Sequence, residues 1–293
     1  AVPVCGCPGC VAGGRRGGAA RGAEGVAQGD PVLTFLGNGP DLLITWFAIN
    51  YLGAIYVPLN TALVGGSLAH VLKDAGARVM VARPDLAARL GDVDTGTVQT
   101  VLLVEGSDVP AVGLACRTLR DPDLAVPLEL ERPIMPWDTL AIMYTSGTTG
   151  AAKGVVSSYT QLYTMGPDAF DCVGPEDRCM ICGPIFHCGS TLYVYAMLAR
   201  GLSIGMMAEF KTDQFWPAVR ETGSTYTLLL GVMAAFLLKA PTHPGDRSHP
   251  MTHVFIVPFG EDGPALALIH NRRCRRKETG TTPVGAERRS KTQ

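Results

Sequence analysis

A short stretch in the middle of the chain, YTSGTTGAAKG at Tyr144–Gly154, combines the residue types that bind phosphate groups. Hydroxyls and glycines fill six consecutive positions within it: Thr145, Ser146, Gly147, Thr148, Thr149 and Gly150. Glycines let the backbone approach a ligand closely, and hydroxyls and free backbone amides donate hydrogen bonds to phosphate oxygens. Lys153 adds a mobile positive charge that can follow a triphosphate. We predict a phosphate-binding loop, because a flexible surface loop would not explain its expected place between an apolar strand and a helix, with one lysine at its end.

The spacing of this stretch excludes the common NTPase phosphate loop. That motif places its lysine directly after the second glycine and a Ser or Thr after the lysine. Here Ala151 and Ala152 separate Gly150 from Lys153, and Gly154 follows. The stretch is therefore a different kind of phosphate loop.

Elements that alternate between strand and helix must position this loop. Short apolar runs predict strands, and apolar residues at helical spacing predict helices. The predicted strands are 54–58, 78–82, 98–104, 140–144, 203–207, 225–230 and 253–260. The predicted helices are 40–52, 66–75, 159–165, 192–198, 213–221 and 233–238. This alternation predicts an α/β fold of layered, largely parallel sheets flanked by helices, in which ligands bind beyond the carboxyl ends of the strands.

The composition separates a globular body from two unusual ends. Apolar residues make up 47% of the chain, charged residues 17%, and the formal net charge is -1; these values give no reason to expect an anionic membrane or nucleic acid as a partner. Residues 1–28 and 263–293 lack any apolar period, so we expect both to be disordered or non-native low-complexity segments around a body at 29–262. The basic run RRCRRK at 272–277 could indicate nucleic acid binding, but no aromatic residues are interleaved with it, and we predict no nucleic acid partner.

Two other sequence features favour an ordinary protein interior. The most apolar stretch, 41–60, is interrupted by Asp41, Asn50 and Pro58, so we predict a buried helix that runs into a strand and no transmembrane segment. The cysteines in CGCPGC near the start have no second pair or His cluster at zinc spacing, and the CxxC at Cys179 and Cys182 lacks the context of a redox motif. We expect reduced thiols and a cytoplasmic location.

The stretch YTSGTTGAAKGVVSS closely resembles the signature of the adenylate-forming (AMP-binding) superfamily, which includes acyl-CoA synthetases, luciferases and the adenylation domains of peptide synthetases. GAIYVPLNTAL at 53–63 is similar to the family's helix-to-strand element near its start. PIFHCGS at 184–190 is similar to its second motif, where an aromatic residue and a histidine line the acyl pocket. The resemblance covers 29–262, and HVFIVPFGED is most similar to the carnitine/crotonobetaine-type CoA ligases.

The resemblance implies a two-step reaction that uses ATP, Mg²⁺, a small-molecule carboxylate and coenzyme A. The loop from Thr145 to Gly150, together with Lys153, would grip the β- and γ-phosphates. Lys153 and His187 would be the catalytic residues, with His187 at the border of the carboxylate; a packed or capped histidine is the alternative. Phe186 would be pocket wall, and Gly231 and the strand end at 257–260 would approach the acyl group and the adenine. The resemblance assigns no metal ligand within this sequence.

Several parts of the family pattern are not recognised after Asp262. They are an aromatic–Gly–x–Thr–Glu segment whose Glu helps hold magnesium, an Asp that binds the ribose hydroxyls, and a C-terminal domain that carries the lysine of the adenylation step. We therefore expect this fragment of an acyl-CoA synthetase not to turn over by itself, while weak ATP binding survives. A non-catalytic nucleotide- or acyl-binding module stays open as the alternative.

Overall fold

Two sheets carry the strands of this protein, in a computed structural model that describes residues 4–6, 25–104, 112–119, 130–145, 150–167, 173–241 and 248–257. The strands of these parts are β1 (Val4–Gly6), β2 (Pro31–Phe35), β3 (Ile55–Pro58), β4 (Val79–Ala82), β5 (Thr100–Leu103), β6 (Ala115–Thr118), β7 (Thr139–Thr145), β8 (Lys153–Ser158), β9 (Arg178–Ile181), β10 (Ser203–Met206), β11 (Tyr226–Leu230) and β12 (His253–Val257). The helices are α1 (Pro40–Tyr51), α2 (Gly65–Ala75), α3 (Pro84–Ala87), α4 (Tyr159–Met165), α5 (Cys188–Ala199), α6 (Thr212–Thr222) and α7 (Gly231–Lys239), and a 3₁₀ turn spans Ala88–Leu90.

The sheets are parallel except at one edge of each. The larger has the order β6-β5-β4-β2-β3-β7-β8, and the smaller the order β1-β10-β9-β11-β12. Only the edge strands β8 and β1 run antiparallel to their neighbours in the described parts of the chain. The predicted fold class, α/β with layered and largely parallel sheets flanked by helices, is confirmed.

Side chains alternate between two cores along the buried strands. In β4, Val79 and Val81 enter a core between the two sheets, whereas Met80 and Ala82 enter a second core on the outer face. We call these the central core and the outer core of the larger sheet. Because both faces of the sheet are covered, the strand is apolar at every position, as buried parallel strands are.

Helices fill the space between the sheets and cover their outer faces. α1 and α5 contribute to the central core through residues such as Trp46 and Tyr193. α2 covers the outer face of the larger sheet, and α6 and α7 cover that of the smaller one. The chain therefore forms alternating layers of helix and sheet around the central core.

The apolar stretch at 41–60 is α1 followed by β3, as predicted. α1 is apolar on several sides because it lies between two sheets. No helix in the described ranges is long and apolar enough to cross a membrane.

Most predicted elements are confirmed within a few residues, but one strand corrects the expected setting of the phosphate loop. The loop was expected to connect a strand to a helix; instead it connects β7 to β8, which returns antiparallel along the sheet edge before α4 begins at Tyr159. The β-branched pair Val155 and Val156 suits this exposed edge. The hydroxyl of Ser158 then caps α4 by accepting a hydrogen bond from the Gln161 amide at 3.2 Å.

A short strand also lies within the segment for which composition predicts disorder. Val4–Gly6 pairs antiparallel with β10, and the disordered or non-native character of 1–28 stays a prediction. The predicted tail at 263–293 lies outside the described residues, and the bounds of the body at 29–262 stay a prediction.

The two cysteines of the CxxC point into different cores. Side chains three positions apart along a strand lie on opposite faces of the sheet. Cys179 belongs to the central core, and Cys182 belongs to a third core, which α6 and α7 cover on the outer face of the smaller sheet. Burial raises the pKa of Cys182 to about 11 and raises that of Cys179 as well. The geometry does not suit a redox pair.

We expect an alkylating reagent to modify Cys188, which is exposed, in the native protein, and to reach Cys179 and Cys182 only after unfolding. Peptide mass spectrometry with and without denaturant measures this. A disulfide between Cys179 and Cys182 in the native protein would contradict the assigned faces.

Candidate functional site

The hairpin of β7 and β8 places Thr145 directly opposite Lys153. The two residues are Cα partners at the end of the antiparallel ladder, and the Thr145 hydroxyl lies 3.5 Å from the Lys153 carbonyl oxygen. β7 is anchored by Leu140 and Ala141, which are fully buried in the central core. The buried strand β7 thus ends at the hydroxyl of Thr145, and the antiparallel strand β8 begins beside it with Lys153.

Lys153 offers a positive charge to solvent. Its side chain is exposed, and it forms no ion pair with another residue of the described ranges. By contrast, Lys211 pairs with Glu209 at 2.7 Å. An uncompensated lysine at the carboxyl end of a parallel strand can bind an anion without first breaking a contact.

The predicted loop is described only in part. Its first and last residues, Thr145 and Gly150, are described, and both are exposed. Four predicted phosphate ligands lie outside the described residues: Ser146, Gly147, Thr148 and Thr149.

His187 lies in a turn between β9 and α5. Its amide donates to the Pro184 carbonyl at 3.1 Å, and it is the N-cap residue of α5 with an extended backbone. The ring is exposed and lies against Phe186, with centroids 4.8 Å apart. Desolvation by surrounding protein lowers the pKa of His187, so the neutral imidazole is favoured at neutral pH. This ring can donate or accept one hydrogen bond at a ligand.

Asn38 is a residue of this region that the sequence did not single out. Its Nδ2 donates to the carbonyl oxygens of Gly183 at 2.9 Å and Met207 at 3.1 Å. Its Oδ1 accepts from the Ile185 amide at 3.0 Å. Asn38 follows β2, whereas its partners follow β9 and β10 of the other sheet. A single amide therefore fixes the turn that carries His187 to the larger sheet.

These hydrogen bonds join the carboxyl ends of the two sheets. β2, β3 and β7 are parallel, so Thr145 and Asn38, which follow the ends of β7 and β2, lie at the carboxyl end of the larger sheet. β9, β10 and β11 are parallel too. The His187 turn and Gly231, the first residue of α7, therefore lie at the carboxyl end of the smaller sheet. Among the predicted site residues that the structure describes, Thr145, Lys153, His187 and Gly231 therefore lie at the same end of the fold. Val257 ends β12 at this edge, and 258–260 lie outside the described residues.

No group of three or more His, Cys, Asp or Glu side chains in the described ranges could hold a metal ion.

Solved structures share this arrangement of sheets and helices. A fatty acyl CoA synthetase of Mycobacterium tuberculosis superimposes with a TM-score of 0.71 at 22% identity, over 90% of this chain and 51% of that one. An O-succinylbenzoate coenzyme A synthetase of Bacillus subtilis, solved in complex with AMP, superimposes with a TM-score of 0.70 at 19% identity, over 90% and 64%. At identities this low, the two superpositions establish a shared fold and no more.

Sequence comparison finds relatives of the subfamily that HVFIVPFGED indicated. A crotonobetaine/carnitine–CoA ligase of Salmonella paratyphi B is 29% identical over 237 residues, 78% of this chain and 46% of that protein. The chain thus spans about half the length of the relatives it matches. The model of the family described as AMP-binding enzyme matches residues 19–278, which include the hairpin, the His187 turn and every described strand except β1. Because this match covers most of its residues, the chain belongs to the AMP-binding enzyme family.

Proposed function

We propose that this chain carries the phosphate-binding part of an ATP-dependent, AMP-forming carboxylate–CoA ligase. The observation that carries the proposal is the exposed Lys153, placed opposite Thr145 at the carboxyl end of β7 and without an ion pair among the described residues. The names of the relatives, which are CoA ligases, support the same reaction class.

In the proposed reaction a carboxylate oxygen attacks the α-phosphorus of ATP, and the bond to the β-phosphate oxygen breaks to release pyrophosphate. The sulfur of coenzyme A then attacks the acyl carbon of the adenylate, AMP leaves with the carboxyl oxygen, and the thiol proton is released. Holding the reactants in line while neutralising phosphate charge is the main physical demand.

The residues of this chain would meet that demand in two places. Lys153 would neutralise the β- and γ-phosphates, and the hydroxyl of Thr145 would donate to a phosphate oxygen. His187, favoured as neutral imidazole, would border the carboxylate substrate from the opposite sheet. Coenzyme A, a cytoplasmic location and Mg²⁺ as the counter-ion of ATP belong to the proposal through the family.

We expect Lys153→Ala to raise the Kd for ATP by about tenfold to a hundredfold, because a charge-assisted hydrogen bond contributes about 1.5–3 kcal/mol. The Kd for AMP should change little, since AMP lacks the phosphates that Lys153 would contact. Isothermal titration calorimetry of the chain with each nucleotide measures both values.

Lys239→Ala is the matched control, because Lys239 is another exposed lysine at the end of α7. It should leave both affinities unchanged. An equal loss of ATP affinity in the two variants, or no preference of the unaltered chain for ATP over AMP, would contradict the assignment of Lys153.

Adenylation is tested in the polypeptide encoded by the complete reading frame that contains this sequence. We expect pyrophosphate release that depends on both ATP and one member of a carboxylate panel, and loss of this release in Lys153→Ala. Nucleotide binding without release for any carboxylate would favour the non-catalytic binding module.

A further inference from the structure

Helix α2 contacts both limbs of the hairpin that carries Lys153. On one limb, the Tyr144 hydroxyl donates a hydrogen bond to Asp74 Oδ2 at 2.7 Å. On the other, His70 Nε2 lies 2.9 Å from the carbonyl oxygen of Ala152. A carbonyl oxygen only accepts, so the imidazole donates in this contact. Tyr144 directly precedes Thr145 in the chain, and Ala152 directly precedes Lys153.

α2 is a fixed base for these two contacts. His70 and Asp74 are four positions apart and therefore share one helix face. The opposite side of the helix is anchored by Leu68, Val71 and Leu72, all fully buried in the outer core of the larger sheet. Movement of the two side chains relative to the sheet would require movement of this packed helix.

The ring of Tyr144 also lies close to the residue that follows Lys153. A Cβ at Gly154 would lie 3.3 Å from Tyr144 Cζ and 2.8 Å from Ile142 Cγ2, so a side chain at position 154 would require these two side chains to shift. The Tyr144 ring thus lies against Gly154 of β8, and its hydroxyl reaches Asp74. Desolvation, with the Asp74 carboxylate as a further cause, raises the pKa of Tyr144, which keeps its hydroxyl a donor at neutral pH.

We infer that His70 and Asp74 are positioning residues that hold the two hairpin limbs in register, so that Lys153 meets the phosphates of a bound nucleoside triphosphate. This inference rests on the proposed function for the identity of the ligand. The contacts themselves are independent of it.

The first test measures nucleotide affinity in variants that remove one contact each. We expect Tyr144→Phe and His70→Ala each to raise the Kd for ATP about threefold to tenfold, and to leave the Kd for AMP nearly unchanged. His70→Gln should recover much of the loss, since its amide can donate to the Ala152 carbonyl. Tyr163→Phe, which alters an exposed tyrosine on α4, is the matched control and should have no effect.

A double-mutant cycle separates positioning from general weakening of the fold. In a Lys153→Ala background, Tyr144→Phe should cause no further loss of ATP affinity, because the contact acts through Lys153. An undiminished loss in that background, or unchanged ATP affinity in both Tyr144→Phe and His70→Ala, would overturn the inference.

Amide hydrogen exchange distinguishes failure of the inference from failure of the proposed function. Without any nucleotide, we expect faster exchange in β8 of Tyr144→Phe and His70→Ala than in the unaltered chain and in Tyr163→Phe. Unchanged exchange would overturn the inference whether or not ATP binds. If exchange is faster but the chain binds no ATP, His70 and Asp74 still hold the hairpin, and the proposed ligand is wrong.

Discussion

Replacing Asn38 with alanine is expected to lower the free energy of unfolding by about 2–4 kcal/mol. Two carbonyl oxygens and one amide would lose their hydrogen-bond partner where the carboxyl ends of the two sheets meet. The bonds are those to Gly183, Met207 and Ile185. Asn38 is half-buried, so water replaces part of what is lost, and the upper end of the range applies only if water is excluded. Urea denaturation followed by circular dichroism measures the change.

Asn38→Asp separates hydrogen bonding from volume in the same experiment. Aspartate has nearly the shape of asparagine, but its ionised carboxylate cannot donate to the two carbonyl oxygens. We therefore expect this variant to be at least as destabilised as Asn38→Ala at neutral pH.

Asn60→Ala is the matched control for both Asn38 variants. Asn60 also follows a strand of the larger sheet, but its side chain accepts a hydrogen bond from the nearby Ala62 amide at 2.9 Å and forms no bond to the other sheet among the described residues. The loss should stay within about 0.5–1 kcal/mol. Equal losses for Asn38→Ala and Asn60→Ala would show that the amide bridge between the sheets adds nothing to stability.

Trp46→Ala is expected to lower the free energy of unfolding by about 3–5 kcal/mol, the range for removing a large aromatic side chain from a core. Trp46 is fully buried in the central core and stacks on Phe47 and Tyr56, each with centroids 5.1 Å apart. Its indole Nε1 has no hydrogen-bond partner among the described residues, which offsets part of the burial. Trp46→Phe should therefore cost much less than Trp46→Ala.

Trp137→Ala supplies the contrast for Trp46→Ala, because the side chain of Trp137 is 70% exposed. We expect its effect to stay within about 0.5 kcal/mol. Chemical denaturation monitored by far-ultraviolet circular dichroism avoids dependence on tryptophan fluorescence. Similar midpoints for Trp46→Ala and Trp137→Ala would contradict the assignment of Trp46 to the central core.

Local patterns in the sequence predicted the elements whose signals are local. α2 has apolar residues on one face and ends at Gly76, whose backbone is left-handed with φ 62°, so both its face and its end could be read. The signature loop was recognised because its residue types and spacing are contiguous. The apolar run directly before the loop predicted a buried strand there, and β7 confirms this prediction.

The parts that were missed depend on contacts distant along the chain. β2 is a short apolar run without alternation, because both its faces are buried, and such runs carry little periodic signal. Asn38 has no local sign of its role, since its partners lie at Gly183, Ile185 and Met207 in the other sheet. β8 was missed because a helix was expected directly after the loop, and the edge pairing that defines the strand is not visible in its own residues.

The division of strands between the two sheets sets an order of events during synthesis. All the strands of the larger sheet come from the chain between Pro31 and Ser158, so this sheet can assemble before β9 is made. The smaller sheet must wait for β12, and β1, the earliest strand, has no partner until β10 emerges. Until then, the side of α1 and of the larger sheet that faces the smaller sheet lacks part of its cover. We therefore expect the nascent protein to pass through a partly folded state with an open apolar face, the kind of surface that chaperones bind and from which aggregation starts.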